Sequence, residues 1–161
     1  MPALRNLFKI SYSKEELLII KFLSRIPLFY NLSNQDLLKF IPYLFPLNFE
    51  KEEVIFYMGD PSQAIYFIKK GSVDLFTEKN SKKIYFKTIS ENECVGAETI
   101  YNDNIRIFTT LSKKENTLVY ALPQTSLFKL LRKERIKKII LENYEKHYSR
   151  ITQEAVLSAS Q

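Results

Sequence analysis

Between Phe49 and Leu122 the sequence runs in short bursts of aromatic and β-branched residues, each closed by a turn signal, while the segments on either side follow a helical period. The bursts are Val54 to Tyr57 before Gly59-Asp60-Pro61, Ile65 to Ile68 before Gly71, Val73 to Phe76 before Glu78 to Ser81, and Ile84 to Ile89 before Ser90 to Asn92. Ile105 to Leu111 and Leu118 to Leu122 complete the set. Strands that recur every 8 to 12 residues or so, with no helix between them, argue against alternating strand–helix units. They predict a mainly β fold, an antiparallel jelly-roll barrel of about eight strands over residues 49 to 122.

The flanks carry helix signals. Ser13 and Glu16 form a capping box, and Leu17, Leu18, Ile20 and Leu23 continue the helix until Pro27 removes an amide and stops it. Ser33 and Asp36 start a second helix with a stripe of Leu37, Leu38, Phe40 and Ile41, so everything before Pro46 is expected to be helical and punctuated. After Pro123, Leu127, Phe128, Leu130 and Leu131 mark a short helix. Ile136, Ile139, Ile140, Tyr144, His147, Tyr148, Ile151 and Ala155 then recur at spacings of three and four, which predicts one long helix with a buried face. That face packs either on the barrel or on the same helix of a second subunit, which motivates the expectation of a homodimer through the C-terminal helix. The resulting division is an N-terminal helical extension over 1–22, a domain over 23–135 with its barrel at about 49–122, and a C-terminal helix over 136–161.

Composition excludes several kinds of chemistry. The 161 residues contain only three glycines, Gly59, Gly71 and Gly96, far apart, so no glycine-rich loop can bring clustered amides to a dinucleotide or a nucleoside triphosphate. Cys94 and His147 are the lone members of their types, which excludes an internal disulfide and leaves no ligand set for a metal cluster. With no third group to orient such a pair, the chain is read as a non-enzyme.

The net charge is +6, and eight basic residues against three acidic ones lie between Ser126 and Arg150. A basic helix suits nucleic acid or anionic lipid, but a solvated helix face has the same composition, and nucleic acid is disfavoured as a partner. No segment remains after residue 161 for a helix-turn-helix, so no DNA-reading module is expected. The start, with Arg5 and Lys9, lacks a signal-type apolar core, and no stretch approaches the roughly 18 apolar residues of a membrane span. A cytoplasmic protein is expected.

Ile26-Pro27-Leu28-Phe29 with Leu32 and Leu37, Val54-Ile55 with Gly59-Asp60, and Ile65-Tyr66-Phe67-Ile68 with Gly71 and Val73 together resemble the cyclic nucleotide-binding domain, over residue 23 to about residue 135. The resemblance implies a jelly roll with a phosphate-binding cassette inserted between two strands. In the family a glycine opens the cassette, the adjacent glutamate grips the ribose 2′-hydroxyl, and an arginine ten residues after the glycine binds the cyclic phosphate. Here Val95-Gly96 opens the matching segment and Arg106 stands ten residues on. The implied ligand is cAMP or cGMP, and the implied binding residues are Gly96, Ala97, Glu98, Arg106 and Ile107. A cyclic phosphate is a monoanion, which helix-end amides and an arginine fork both stabilise.

The departures fall on the ligand side. Ala97 occupies the place of the ribose-binding glutamate, and Glu98 comes one residue later, where its side chain would point elsewhere unless the chain slips. Ile107 and Phe108 replace the small residues that follow the arginine. Glu52 and Asn92 stand where turn glycines are common, and of the two Asn tolerates a left-handed backbone better. Arg106 also suits an ordinary strand arginine with its head in solvent. Two functions stay open. One is a regulatory sensor of a cyclic nucleotide or related anion that signals through its C-terminal helix. The other is a degenerate domain that serves as a protein-interaction or dimerisation scaffold.

Overall fold

Both predicted N-caps form reciprocal pairs in the computed structural model, which describes residues 10–102 and 104–160. Ser13 Oγ accepts from the Glu16 amide at 3.1 Å while Glu16 accepts from the Ser13 amide at 2.8 Å, and this starts α1 (Lys14–Leu23). Ser33 and Asp36 do the same for α2 (Asn34–Phe40), with a 3-10 turn at Pro27–Phe29 between the two helices. Arg5 and Lys9 lie outside the described residues.

Eight strands follow: β1 (Phe45–Phe49), β2 (Val54–Phe56), β3 (Ala64–Lys70), β4 (Ser72–Lys79), β5 (Lys82–Ser90), β6 (Cys94–Val95), β7 (Thr109–Ser112) and β8 (Thr117–Pro123). They form two antiparallel sheets, ordered β1-β8-β3-β6 and β2-β7-β4-β5. The jelly-roll expectation holds in strand number and direction, but the sheets do not close into a barrel, because among the described residues no ladder joins an edge strand of one to an edge strand of the other.

Period-two alternation gives β3 two apolar faces. Ile65 and Phe67 meet Leu23, Ile26, Phe29, Phe40 and Leu122 in a core shared with the helices, whereas Ile68 joins Val73, Leu75, Val119 and Phe56 in a core between the sheets.

Three boundaries depart from expectation. Phe45–Phe49 is a strand rather than helical punctuation, and Pro46 is tolerated there because β1 is an edge strand whose outward side needs no amide donor. The burst from Ile105 pairs as a ladder only from Thr109, with Ile105 making an isolated bridge to Pro61.

The long C-terminal helix is broken. After α3 (Gln124–Leu130), α4 (Glu134–His147) ends at Tyr148, whose φ of −125° leaves the helical well, and α5 (Ser149–Ser160) follows. The apolar stripe of α4 is used inside the domain: Ile136, Ile140 and Tyr144 are buried in the helical core, and α4 packs on the Pro27–Phe29 turn. Asn143 fixes that contact by donating to the Leu28 carbonyl at 3.0 Å and the Tyr30 carbonyl at 2.7 Å. α5 sends Ala155 into the core between the sheets and leaves Val156 and Leu157 exposed. Among the described residues, no helix is long and apolar enough to cross a membrane.

Candidate functional site

The short β6 delivers the chain to Gly96, which adopts a left-handed conformation at φ 79° and starts a 3-10 turn at Ala97–Ile100. Glycine is required twice over at this point. The backbone is one that side chains resist, and a Cβ would collide with the Arg106 guanidinium.

Arg106 is only 2% exposed, which corrects the reading that places its head in solvent. Its Nη2 donates to the Ala64 carbonyl at 2.7 Å and its Nη1 to Glu98 Oε1 at 3.0 Å. The guanidinium carbon lies 4.1 Å from the centre of the Phe56 ring, a stacked cation–π contact, while Nε is buried with no partner.

Glu98 therefore turns toward Arg106, contrary to the orientation expected for an unslipped chain. The turn is tight, and Ser62 steadies the carboxylate with a 2.9 Å hydrogen bond. Ser62 and Thr99 hydroxyls lie 2.7 Å apart, and Thr99 donates to the Ala64 carbonyl at 3.0 Å. The arginine that would meet a phosphate is thus neutralised by a carboxylate from the same cassette, inside a hydrogen-bonded network that leaves its Nε without a partner.

Four of the five residues named from sequence, Gly96, Ala97, Glu98 and Ile107, line one cavity together with Phe56, Cys94, Phe108, Tyr144, Tyr148 and Ile151. Arg106 does not line it. The cavity has room for about 40 Å³ of solvent, on the order of one water and far below the roughly 300 to 1,000 Å³ of small-molecule sites. Phe108 is buried and packs on Phe86 with ring centres 4.9 Å apart, and Ile151 of α5 lines the cavity with Tyr144 and Tyr148.

Burial pushes the Cys94 thiol up to about 12, so it is an inert packing group and not a nucleophile. The same burial raises Tyr148, whose hydroxyl is enclosed beside Cys94.

The cassette is tied to the C-terminal helices. Tyr101 donates to Glu145 at 3.0 Å and its ring meets Tyr144 edge-on at 5.4 Å, while Gln124 at the start of α3 donates to the Thr99 carbonyl at 2.9 Å. Ser62, Thr99 and Tyr101 escaped the sequence reading, because no local pattern connects Ser62 with a carboxylate 36 positions away.

Comparison with known proteins agrees with this architecture. The profile of the "Cyclic nucleotide-binding domain" family matches residues 46–134. No curated protein matches the chain. Among solved structures, the chain is similar to the catabolite activator protein of Thermus thermophilus, with a TM-score of 0.69 and 24% identity over 82% of this chain and 61% of that one. It therefore spans less than two-thirds of the Thermus protein. It is also similar to the sensor domain of the transcriptional regulator DNR from Pseudomonas aeruginosa, with a TM-score of 0.72 and 16% identity over 88% of this chain and 94% of that one. A third similar structure is the regulatory subunit of a cAMP-independent protein kinase A from Trypanosoma brucei, with a TM-score of 0.69 and 17% identity over 88% of this chain and 53% of that one. With a matched segment that covers more than half of its length and both sheets of the expected fold, the chain belongs to the cyclic nucleotide-binding domain family.

Proposed function

We propose that this chain is a regulatory domain that keeps the family fold, no longer takes a standard cyclic nucleotide, and acts as an interaction module through its C-terminal helices. The observation that carries the reading is the buried Arg106–Glu98 pair: the cassette's cation is spent on its own carboxylate. A phosphate monoanion would have to displace that carboxylate, and the ribose would find Ala97 where an acceptor is needed. A lost charged hydrogen bond of that kind removes about 1.5 to 3 kcal/mol, roughly 10- to 150-fold in affinity. Phe108 and Ile151 border a cavity that leaves room for only about 40 Å³ of solvent. The same fold occurs in the Trypanosoma regulatory subunit of a protein kinase A described as cAMP-independent. The partner-facing surface in this reading is α5, with Val156 and Leu157 exposed, and light scattering decides whether the partner is a second copy.

Calorimetric titration of cAMP and cGMP into the protein tests the reading. No heat of binding is expected from the wild type. The triple variant Ala97→Glu, Glu98→Leu, Phe108→Ala, which restores a ribose acceptor, frees Arg106 and opens volume, is expected to bind. Micromolar binding by the wild type that disappears in Arg106→Ala overturns the proposal and restores the sensor.

A further inference from the structure

Three lysines from three separate elements converge on one cleft away from the cassette. Lys39 stands in the last turn of α2, Lys129 in the last turn of α3 and Lys133 at the cap of α4. With Tyr43, Leu130 and Ile136 they line a cavity of about 350 Å³, and none of these residues borders the cavity beside Gly96. Leu130 and Ile136 are buried, so the cleft has an apolar floor and a cationic rim.

The helices themselves explain only part of this rim. Cations suit the C-terminal ends where Lys39 and Lys129 sit, but a helix N-terminus favours Ser, Thr, Asp or Asn at its cap and repels a positive charge. Lys133 caps α4, and its side chain satisfies none of the first-turn amides.

Acidic neighbours do not explain it either. Among the described residues the rim's one ion pair is Lys39 with Asp36 at 3.7 Å, and Asp36 already serves Arg135. Lys39 and Lys133 instead border the same cleft with like charges. Lys39 holds the Lys133 ammonium below its ordinary value; desolvation and Arg135 add to the push and Asp36 pulls the other way. Long flexible lysines that serve only solubility would diverge.

We propose that this cleft is a binding site for a phosphate-bearing small ligand, gripped by Lys39, Lys129 and Lys133 over the apolar floor of Leu130 and Ile136. A phosphate in the cleft gives the like charges of Lys39, Lys129 and Lys133 a shared counter-charge, and lysine binds phosphate well as a point charge. The volume lies within the roughly 300 to 1,000 Å³ typical of small-molecule sites. A free phosphorylated metabolite and a lipid phosphate headgroup share this chemistry.

Inorganic pyrophosphate, titrated calorimetrically into the full chain, is the solution probe. Sedimentation with phosphatidylcholine vesicles containing phosphatidic acid is the membrane probe. Saturable binding is expected to weaken about tenfold in Lys39→Gln and again in Lys133→Gln, and to survive unchanged in Lys82→Gln on β5. Melting curves confirm that each variant is folded. Binding of pyrophosphate alone assigns a free ligand, whereas vesicle binding with the same lysine dependence assigns a headgroup. NMR titration of the Lys133 ammonium is expected to move toward its ordinary value when pyrophosphate is added. Three results overturn the proposal: no saturable binding to either probe, binding that persists in the Lys39→Gln, Lys133→Gln double variant, or an equal loss in Lys82→Gln.

Discussion

Replacing Glu98 by Ala removes the carboxylate while the guanidinium of Arg106 stays where it cannot reach water. Breaking a buried ion pair by deleting one partner costs about 3 to 5 kcal/mol. Two features place this case at the lower end. The Glu98 side chain keeps 11% of its exposure, and Arg106 retains the Ala64 carbonyl and the Phe56 ring. A loss of about 3 kcal/mol corresponds to a fall of roughly 6 to 12 °C in Tm for a domain of this size. Urea unfolding should show the same loss as a lowered midpoint with an unchanged slope, since the surface exposed on unfolding hardly alters. The paired change Glu98→Ala with Arg106→Met replaces the ions by apolar atoms and should recover most of the loss, because a buried pair and a well-packed apolar substitute are of similar stability. If Glu98→Ala stays within about 1 kcal/mol of wild type, beneath the cost of an orphaned buried charge, Arg106 is not held as described. If the double variant is as unstable as the single, the pair is not the source of the effect.

Three further outcomes follow from the same physics. Cys94, buried and with its thiol pushed up to about 12, should stay unmodified by a thiol reagent in the native protein at neutral pH and react at once in denaturant. Burial pushes the Asp36 carboxyl up, but hydrogen bonds from Arg135 and Ser33 outweigh it and hold the group below its ordinary value. Its stabilising contribution is therefore complete above the unfolded pKa and lost as pH falls through the folded one, so Asp36→Asn should lower the urea midpoint at neutral pH and lose that effect in acid. Glu52 holds φ at 68°, where a side chain costs about 1 to 2 kcal/mol, and Glu52→Gly should relieve this against a smaller entropic loss of about 0.4 to 1 kcal/mol, for a net gain of roughly 0.5 to 1 kcal/mol in chemical denaturation.

The division into helices, eight strands and helices was legible because each class repeats a period many times over, so no single residue decides it. The errors fall where one residue decides. Pro46 is a breaker in any central strand, and only the knowledge that β1 lies at a sheet edge makes it acceptable. Tyr148 has no glycine or proline to announce the break between α4 and α5. The bend instead lets Ala155 reach the space between the sheets, a tertiary gain that local pattern does not encode. The site divides in the same way. Gly96 and Arg106, ten residues apart in sequence, stand side by side because that spacing reflects a backbone path, and the collision awaiting a Cβ at Gly96 is the physical form of the constraint. The direction of Glu98 was not legible, for it depends on a 3-10 turn tighter than the helix a reader would assume and on Ser62 from a distant loop. Spacing thus places the arginine, whereas only the packed fold shows whether its charge is free. A loop can keep the family's spacing of glycine and arginine and still supply that arginine with a counter-charge of its own, as Glu98 does for Arg106.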